Sequence, residues 1–402
     1  MILTDLYSVR ARGTFSTVGT PASAASALIF CATNLDFLKN CCTGFLQLSY
    51  SLIIAYAFFL TLLRADRGQL AKLFLGFCLV ILLGSFLEEH TGLRNLSDAV
   101  RAHLYPGADI YDSDLRDRLI YGRIRPKLFT SEPSAVTFAY TTFAFAWLMT
   151  SRWRWRTLGY LALFAVGVVI MPGPTLLLML ILGIPYQLLQ MRRQTSIGMR
   201  IGICAAGLIL LAGFVVIGQS LYAARLREIT SGNDPSFFFR EIGPMLIARD
   251  VFEKYPIAGI GLTGEPFAAD EVMNVFMRSS QFSAAWQIDA AKIGDLLTNY
   301  FWLHWIYLGL LWGLVTAAGL SFWLKTLGVS SVVFCWAVWV VMGQASGSYV
   351  GPKTWIVLLL AAACLVLHDR GTAPAAVRAV RAAPQGRAPA VAPIGRRGVA
   401  RS

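Results

Sequence analysis

Charged side chains are scarce in this sequence, and they are missing from the stretches where a water-soluble fold needs them. Asp, Glu, Lys and Arg make up 14% of the 402 residues and apolar residues 56%, whereas a soluble domain carries about 25% charged residues. Blocks of roughly 15–25 residues contain no charge, the length a helix needs to cross hydrocarbon. This excludes a soluble globular domain. Ionisable side chains are nearly absent from these blocks, which argues against a proton relay or an ion-coupled transporter. The sequence has no Walker motif, no GxGxxG loop, no HExxH and no internal repeat. The seven cysteines lie in or beside apolar segments and the two long polar loops contain none. They read as small packing residues rather than a disulfide framework or a metal site.

What is present is a series of apolar spans. They are predicted over about 44–63, 70–87, 134–150, 158–171, 175–190, 201–221, 299–324, 327–344 and 354–367. The expectation is an all-α polytopic membrane protein with about nine to eleven transmembrane helices. Residues 1–43 form an N-terminal segment whose stretch 22–33 is either a short first span or an interfacial segment. The membrane domain covers 44–370 and the Ala/Pro/Arg-rich tail, 371–402, is expected to be disordered. Arg64, Arg67 and Lys72, then Arg152, Arg154 and Arg156, then Arg192, Arg193 and Arg200, and finally Lys325 and the tail mark every second connection as basic. These connections are expected on the cytoplasmic side, which puts the long loops 88–133 and 222–297 outside. The net charge of +13 is accounted for by these short loops and the tail. It therefore points to membrane lipid and not to nucleic acid.

The chemistry is expected in the two outer loops, with short amphipathic helices in them forming a lid. In the first, Arg125 and Lys127 precede Glu132-Pro133-Ser134 at the start of a span. Capping is enough to explain that triplet; the functional alternative is an anion site at a helix N-terminus with Arg125 and Lys127. The second loop carries Arg225, Arg240 and Arg249, then Tyr255-Pro256-Ile257-Ala258-Gly259-Ile260-Gly261, a helix stop followed by a flexible turn. Arginines spaced along surface helices suit bidentate binding of phosphate.

Arg240, then Pro256-x-x-Gly259-x-Gly261, then Thr298-Asn299-Tyr300 with Gly309 and Gly313 along the span resemble the O-antigen ligase and polymerase superfamily. Phe129-Thr130-Ser131-Glu132-Pro133-Ser134 resembles the segment before a span in bacterial exopolysaccharide polymerases of that superfamily, and the resemblance covers roughly 128–323. It implies transfer of glycan from undecaprenyl diphosphate at the outer face of a bacterial inner membrane, with no cofactor and no metal. Implied partners are the undecaprenyl-diphosphate-linked oligosaccharide, a flippase and a chain-length regulator. Arg240 and Arg249 are the leading candidates for diphosphate contacts, followed by Arg225, Arg125 and Lys127, with Tyr300 also at the substrate. Asn299 and Glu132 are candidates to orient the acceptor or an arginine. Asp295 and Glu265 lie in the right loop for a general base, and neither is preferred.

Ligases of this superfamily carry a His before the Asn where this sequence has Thr298, which favours a polymerase over a ligase. His304, two turns into the span, reads as a packed or hydrogen-bonded residue. Met171-Pro172-Gly173-Pro174-Thr175 stands where relatives show a Ser/Thr-rich turn, so no role follows for it. A flippase is the third reading, and the scattered Ser49, Thr141, Thr142 and Gln344 make no polar path for it.

Overall fold

The computed structural model describes residues 35–105, 114–193, 237–265, 269–278, 297–344 and 347–372. All the regular elements among the described residues are helices, with no strand among them. The first long helices are α1 (Leu35–Arg64) and α2 (Arg67–His90). Two short helices follow, α3 (Leu93–Leu104) and α4 (Asp114–Tyr121), and then α5 (Pro133–Thr150), α6 (Arg156–Ile170) and α7 (Leu177–Arg193). In the second half lie α8 (Gly243–Lys254), α9 (Ala269–Met277), α10 (Tyr300–Thr326), α11 (Val332–Gly343) and α12 (Pro352–Thr372). Among the described residues four helices, α1, α2, α10 and α12, are long and apolar enough to cross a membrane. The expected segment 22–33, the span 201–221 and the tail beyond residue 372 lie outside the described residues, while Gly371 and Thr372 of the expected tail continue α12.

Several boundaries differ from the sequence expectation. Helix α1 begins at Leu35, nine residues before 44, because Lys39 and Asn40 are tolerated in its first turns. Helix α11 has only 12 residues, about 18 Å of rise, too short to cross hydrocarbon alone. The long loops do carry short helices, α3 and α4 in the first and α8 and α9 in the second.

Helix α12 is apolar on all sides, and a helix of that kind belongs in the interior. Val357 to His368 are buried without interruption, and α12 packs along α1 and against α5 and α11. Its small residues Ala361, Ala362 and Ala363 let these neighbours approach closely. By contrast α1 and α2 turn Phe45, Leu46, Ile53, Leu79, Val80 and Leu83 outward, as the outer wall of a membrane bundle does. Cys78, Cys335 and Cys364 are buried packing residues and Cys42 is exposed.

One end of the bundle is tied by Arg67, which is buried with no carboxylate among its partners. Its guanidinium donates to the carbonyls of Met149, Thr150 and Ser151 at the C-terminus of α5, and to the His368 carbonyl near the end of α12. Terminal carbonyls are the unpaired groups of a helix and carry its negative pole, so one cation serves two helices.

Helix α10 is broken. Gly309 has φ 65° and ψ −172°, which frees backbone groups on either side of it. The turn after α8 fills the gap: Ile260 and Gly261 N–H donate to the Ile306 and Tyr307 carbonyls, each at 3.0 Å. In return the Pro256 carbonyl accepts from Leu310 N–H at 2.9 Å and the Ile257 carbonyl from Trp312 N–H at 3.3 Å. The fit requires glycine on both sides. A Cβ on Gly259 would strike the Ile306 carbonyl and sit 2.5 Å from the Gly309 nitrogen, and a Cβ on Gly309 would sit 2.5 Å from the Gly259 nitrogen. His304 then spans the break: its Nε2 donates to the Gly313 carbonyl at 3.1 Å, which leaves Nδ1 to accept from the Tyr349 hydroxyl at 3.0 Å.

Gly259→Ala is therefore expected to destabilise the fold by about 3 kcal/mol or more, through backbone collision and a strained φ. Gly319→Ala on the same broken helix meets nothing within 4 Å and serves as the control. Thermal unfolding of the two purified variants in neutral detergent checks this; equal melting temperatures would show that the turn does not need its glycine.

Candidate functional site

The site forms where the starts of α5, α10 and α12 come together with the segment that leads into α8. Each piece is held by its own backbone arrangement. The stretch before α5 is fixed from behind: the Glu88 carboxylate accepts from Lys127 N–H at 3.2 Å and from Leu128 N–H at 2.5 Å. Buried Arg101 donates to the Thr130 carbonyl at 2.7 Å and the Ser131 carbonyl at 3.1 Å, and pairs with Asp98. These contacts deliver Glu132 to the first turn of α5.

Glu132 occupies the N-cap position of α5 with Pro133 in the first turn, as the capping reading expects, but its side chain makes no capping bond. Its carboxylate instead accepts from Arg240 Nη2 at 3.1 Å, and the same Nη2 lies 3.2 Å from Ser134 Oγ. Arg240 stands in a short π-helical turn, Phe238–Ile242, a feature that often marks functional positions. The turn is anchored by aromatic packing: Phe276 meets Phe238 edge-on at 5.4 Å and stacks on Phe239 at 5.1 Å.

Asn299 locks the third element to the second. Its Oδ1 caps α10 by accepting from Phe301 and Trp302 N–H. Its Nδ2 donates to the Arg240 carbonyl at 2.7 Å and to Gln344 Oε1 at 2.9 Å. Asn299 is wholly buried, so it is a positioning residue that fixes the Arg240 backbone. Beside it the Thr298 hydroxyl is buried with no hydrogen-bond partner among the described residues.

Three of the candidate residues, Arg240, Glu132 and Asn299, thus meet in one cluster, and the other candidates among the described residues have the partners that follow. Arg249 is on the exposed face of α8 and pairs with Glu253 at 3.2 Å. Arg125 is engaged by Asp117 at 2.8 Å and lies over the Tyr121 ring, and buried Lys127 is engaged by Asp114 at 3.1 Å. Both cations hold the first loop to α4, since the acids needed to pair them are supplied locally. Tyr300 is buried, with its hydroxyl given to the Trp339 carbonyl at 2.8 Å. Glu265 sits in the interior, accepts from the Tyr307 hydroxyl, and has its carboxyl pushed up from the usual range by burial. Arg225 and Asp295 lie outside the described residues.

Two residues of the site were not anticipated. Glu241 follows Arg240, and burial pushes its carboxyl up to about 8, opposed by the Arg240 charge. Lys353, in the first turn of α12, stands 3.8 Å from the centre of the Phe138 ring, within the fields of Glu132 and Arg240. A cation at a helix N-terminus opposes the helix dipole, and Gly351-Pro352-Lys353 carries that signal in the sequence.

Chemically the cluster is a half-satisfied cation. Arg240 uses Nη2 for Glu132 and Ser134. Its Nε and Nη1 groups, three N–H donors in a planar fork, make no hydrogen bond among the described residues. The arginine side chain is one-fifth exposed. No family model, no curated protein and no solved structure matches the chain.

Two outcomes follow. Asn299→Asp keeps the cap but sets a carboxylate oxygen against the Arg240 carbonyl and Gln344 Oε1, and is expected to cost about 2–3 kcal/mol. A melting temperature equal to wild type would remove Asn299 from its positioning role. The raised carboxyl of Glu241 means the folded state holds that proton more tightly than the unfolded chain. Its stabilisation is complete below about 4.5 and is lost as the pH climbs through about 8. Glu241→Gln should therefore melt above wild type at pH 9 by more than it does at pH 5, and a pH-independent difference would contradict the assignment.

Proposed function

We propose that this protein is a polysaccharide polymerase of a bacterial inner membrane. On this reading it transfers glycan from undecaprenyl diphosphate to a second lipid-linked repeat unit at the outer face. The observation that carries the reading is the Arg240 fork, held from behind by Glu132, Ser134 and Asn299 with three donors uncommitted. A donor sugar on a lipid diphosphate already has a good leaving group. Catalysis then needs a fixed cation where negative charge develops and an acceptor held in line.

The step proposed is a single displacement. The acceptor hydroxyl oxygen bonds to the anomeric carbon while the bond from that carbon to the phosphate oxygen breaks. The lipid diphosphate leaves with the electron pair onto Arg240, and the hydroxyl proton passes to Glu132. Thr298 in place of a histidine supports polymer growth over ligation to a lipid core. The sidedness rests on the basic short connections, with the Arg67 end of the bundle inside and the Arg240 end outside.

The test is polysaccharide chain length in a deletion strain carrying wild type, Arg240→Ala, Arg240→Lys or Arg249→Ala at matched membrane expression. Deletion should leave single repeat units on the carrier. Arg240→Ala should lower polymer about 100-fold, the scale of losing one preorganised charge-stabilising group. Arg240→Lys should recover only a part, since one ammonium cannot replace the fork, and Arg249→Ala should match wild type. Polymer made normally but left unattached would instead identify a ligase, and repeat units trapped on the inner leaflet would identify a flippase.

A further inference from the structure

We infer that Lys353 is the second cation of the site and the direct contact for a diphosphate anion, with Phe138 holding it in place. The inference rests on the reading of Arg240 as a diphosphate contact and adds a residue to it.

Every other buried or half-buried cation described above has its charge answered. Arg67 holds four backbone carbonyls, Arg101 holds Asp98 and two carbonyls, and Lys127 holds Asp114. Lys353 is different. It has no hydrogen bond and no carboxylate within ion-pair distance among the described residues. Its ammonium lies over the Phe138 ring, 3.8 Å from the centroid, where the electron-rich face of the ring holds a cation without neutralising it. Its place in the first turn of α12 is electrostatically unfavourable, so packing alone does not account for a lysine here.

Geometry brings this ammonium to the site. Phe138 is four residues after Ser134 on α5 and therefore on the same helix face. The charges of Glu132 and Arg240 both act on Lys353. Glu132 pairs with Arg240, so of the two cations in the cluster Lys353 is the one without a carboxylate partner among the described residues. An incoming diphosphate has two phosphoryl groups to share between the Lys353 ammonium and the open Arg240 fork. Lysine serves as a point charge and arginine as the directional partner, a division suited to one group that must be held and one that must leave.

The experiment measures binding of farnesyl diphosphate, inorganic pyrophosphate and the neutral alcohol farnesol to the full-length protein in uncharged nanodiscs. Wild type is compared with Lys353→Met, Lys353→Gln and Lys353→Arg. Both neutral variants should weaken diphosphate binding about tenfold or more, as expected for loss of a charge-assisted contact. Lys353→Arg should stay within about threefold of wild type, and farnesol binding should not change. Melting temperatures of the variants separate loss of contact from loss of fold. If wild type binds the diphosphate and both neutral variants bind it equally well, the assignment of Lys353 is overturned while the Arg240 reading stands. If wild type prefers neither diphosphate to farnesol, both fall. Lys353 dependence seen with farnesyl diphosphate and pyrophosphate alike upholds the contact, and the tighter of the two in wild type identifies the source of the anion.

Discussion

The arrangement of this protein depends on a backbone exchange between a broken helix and a turn. A helix surrounded by hydrocarbon has no water to satisfy a freed carbonyl or N–H, so a break survives only where protein supplies the partners. Here the turn Pro256–Gly261 supplies them to both sides of Gly309, and the approach is so close that neither Gly259 nor Gly309 has room for a side chain. The exchange fixes α8 against α10. Because Arg240 leads into α8 and Asn299 caps α10, the same contact brings the two ends of the site together.

The electrostatics follow from that placement. Arg240 belongs to one segment and Glu132 to another, 108 positions apart, and each is held by backbone contacts that do not depend on the other. Their pairing therefore leaves the arginine oriented without surrounding it. Glu241 beside it is driven toward its neutral form by burial, so it does not add a second negative charge that would close the fork to anions.

Much of this was legible in the sequence, and the failures have physical causes. The apolar blocks mark the bundle, and Pro256-x-x-Gly259-x-Gly261 reads correctly as a helix stop and turn. What the turn is for was not legible, because its partner, Gly309, looks like any small residue inside a span until the break is seen. Glu132 does stand at the N-cap of α5 ahead of Pro133, a local effect that a sequence shows well, whereas the partner of its carboxylate, Arg240, is remote. Arg125 and Lys127 looked available for a ligand because the pairing of Asp117 and Asp114 with them depends on how the first loop folds back. Arg249 has the same composition argument as Arg240, and only the orientation of α8 separates them. Lys353 was passed over as the edge of a span.

The buried Arg67 contact completes this picture from the far end of α5. By tying carbonyls at the ends of α5 and α12 to the start of α2, it clamps the C-terminus of α5, while Arg240 holds Glu132 at its N-terminus. The 18-residue α5 is thus a strut about 27 Å long with an arginine at each end, one spent on backbone carbonyls and the other on a carboxylate.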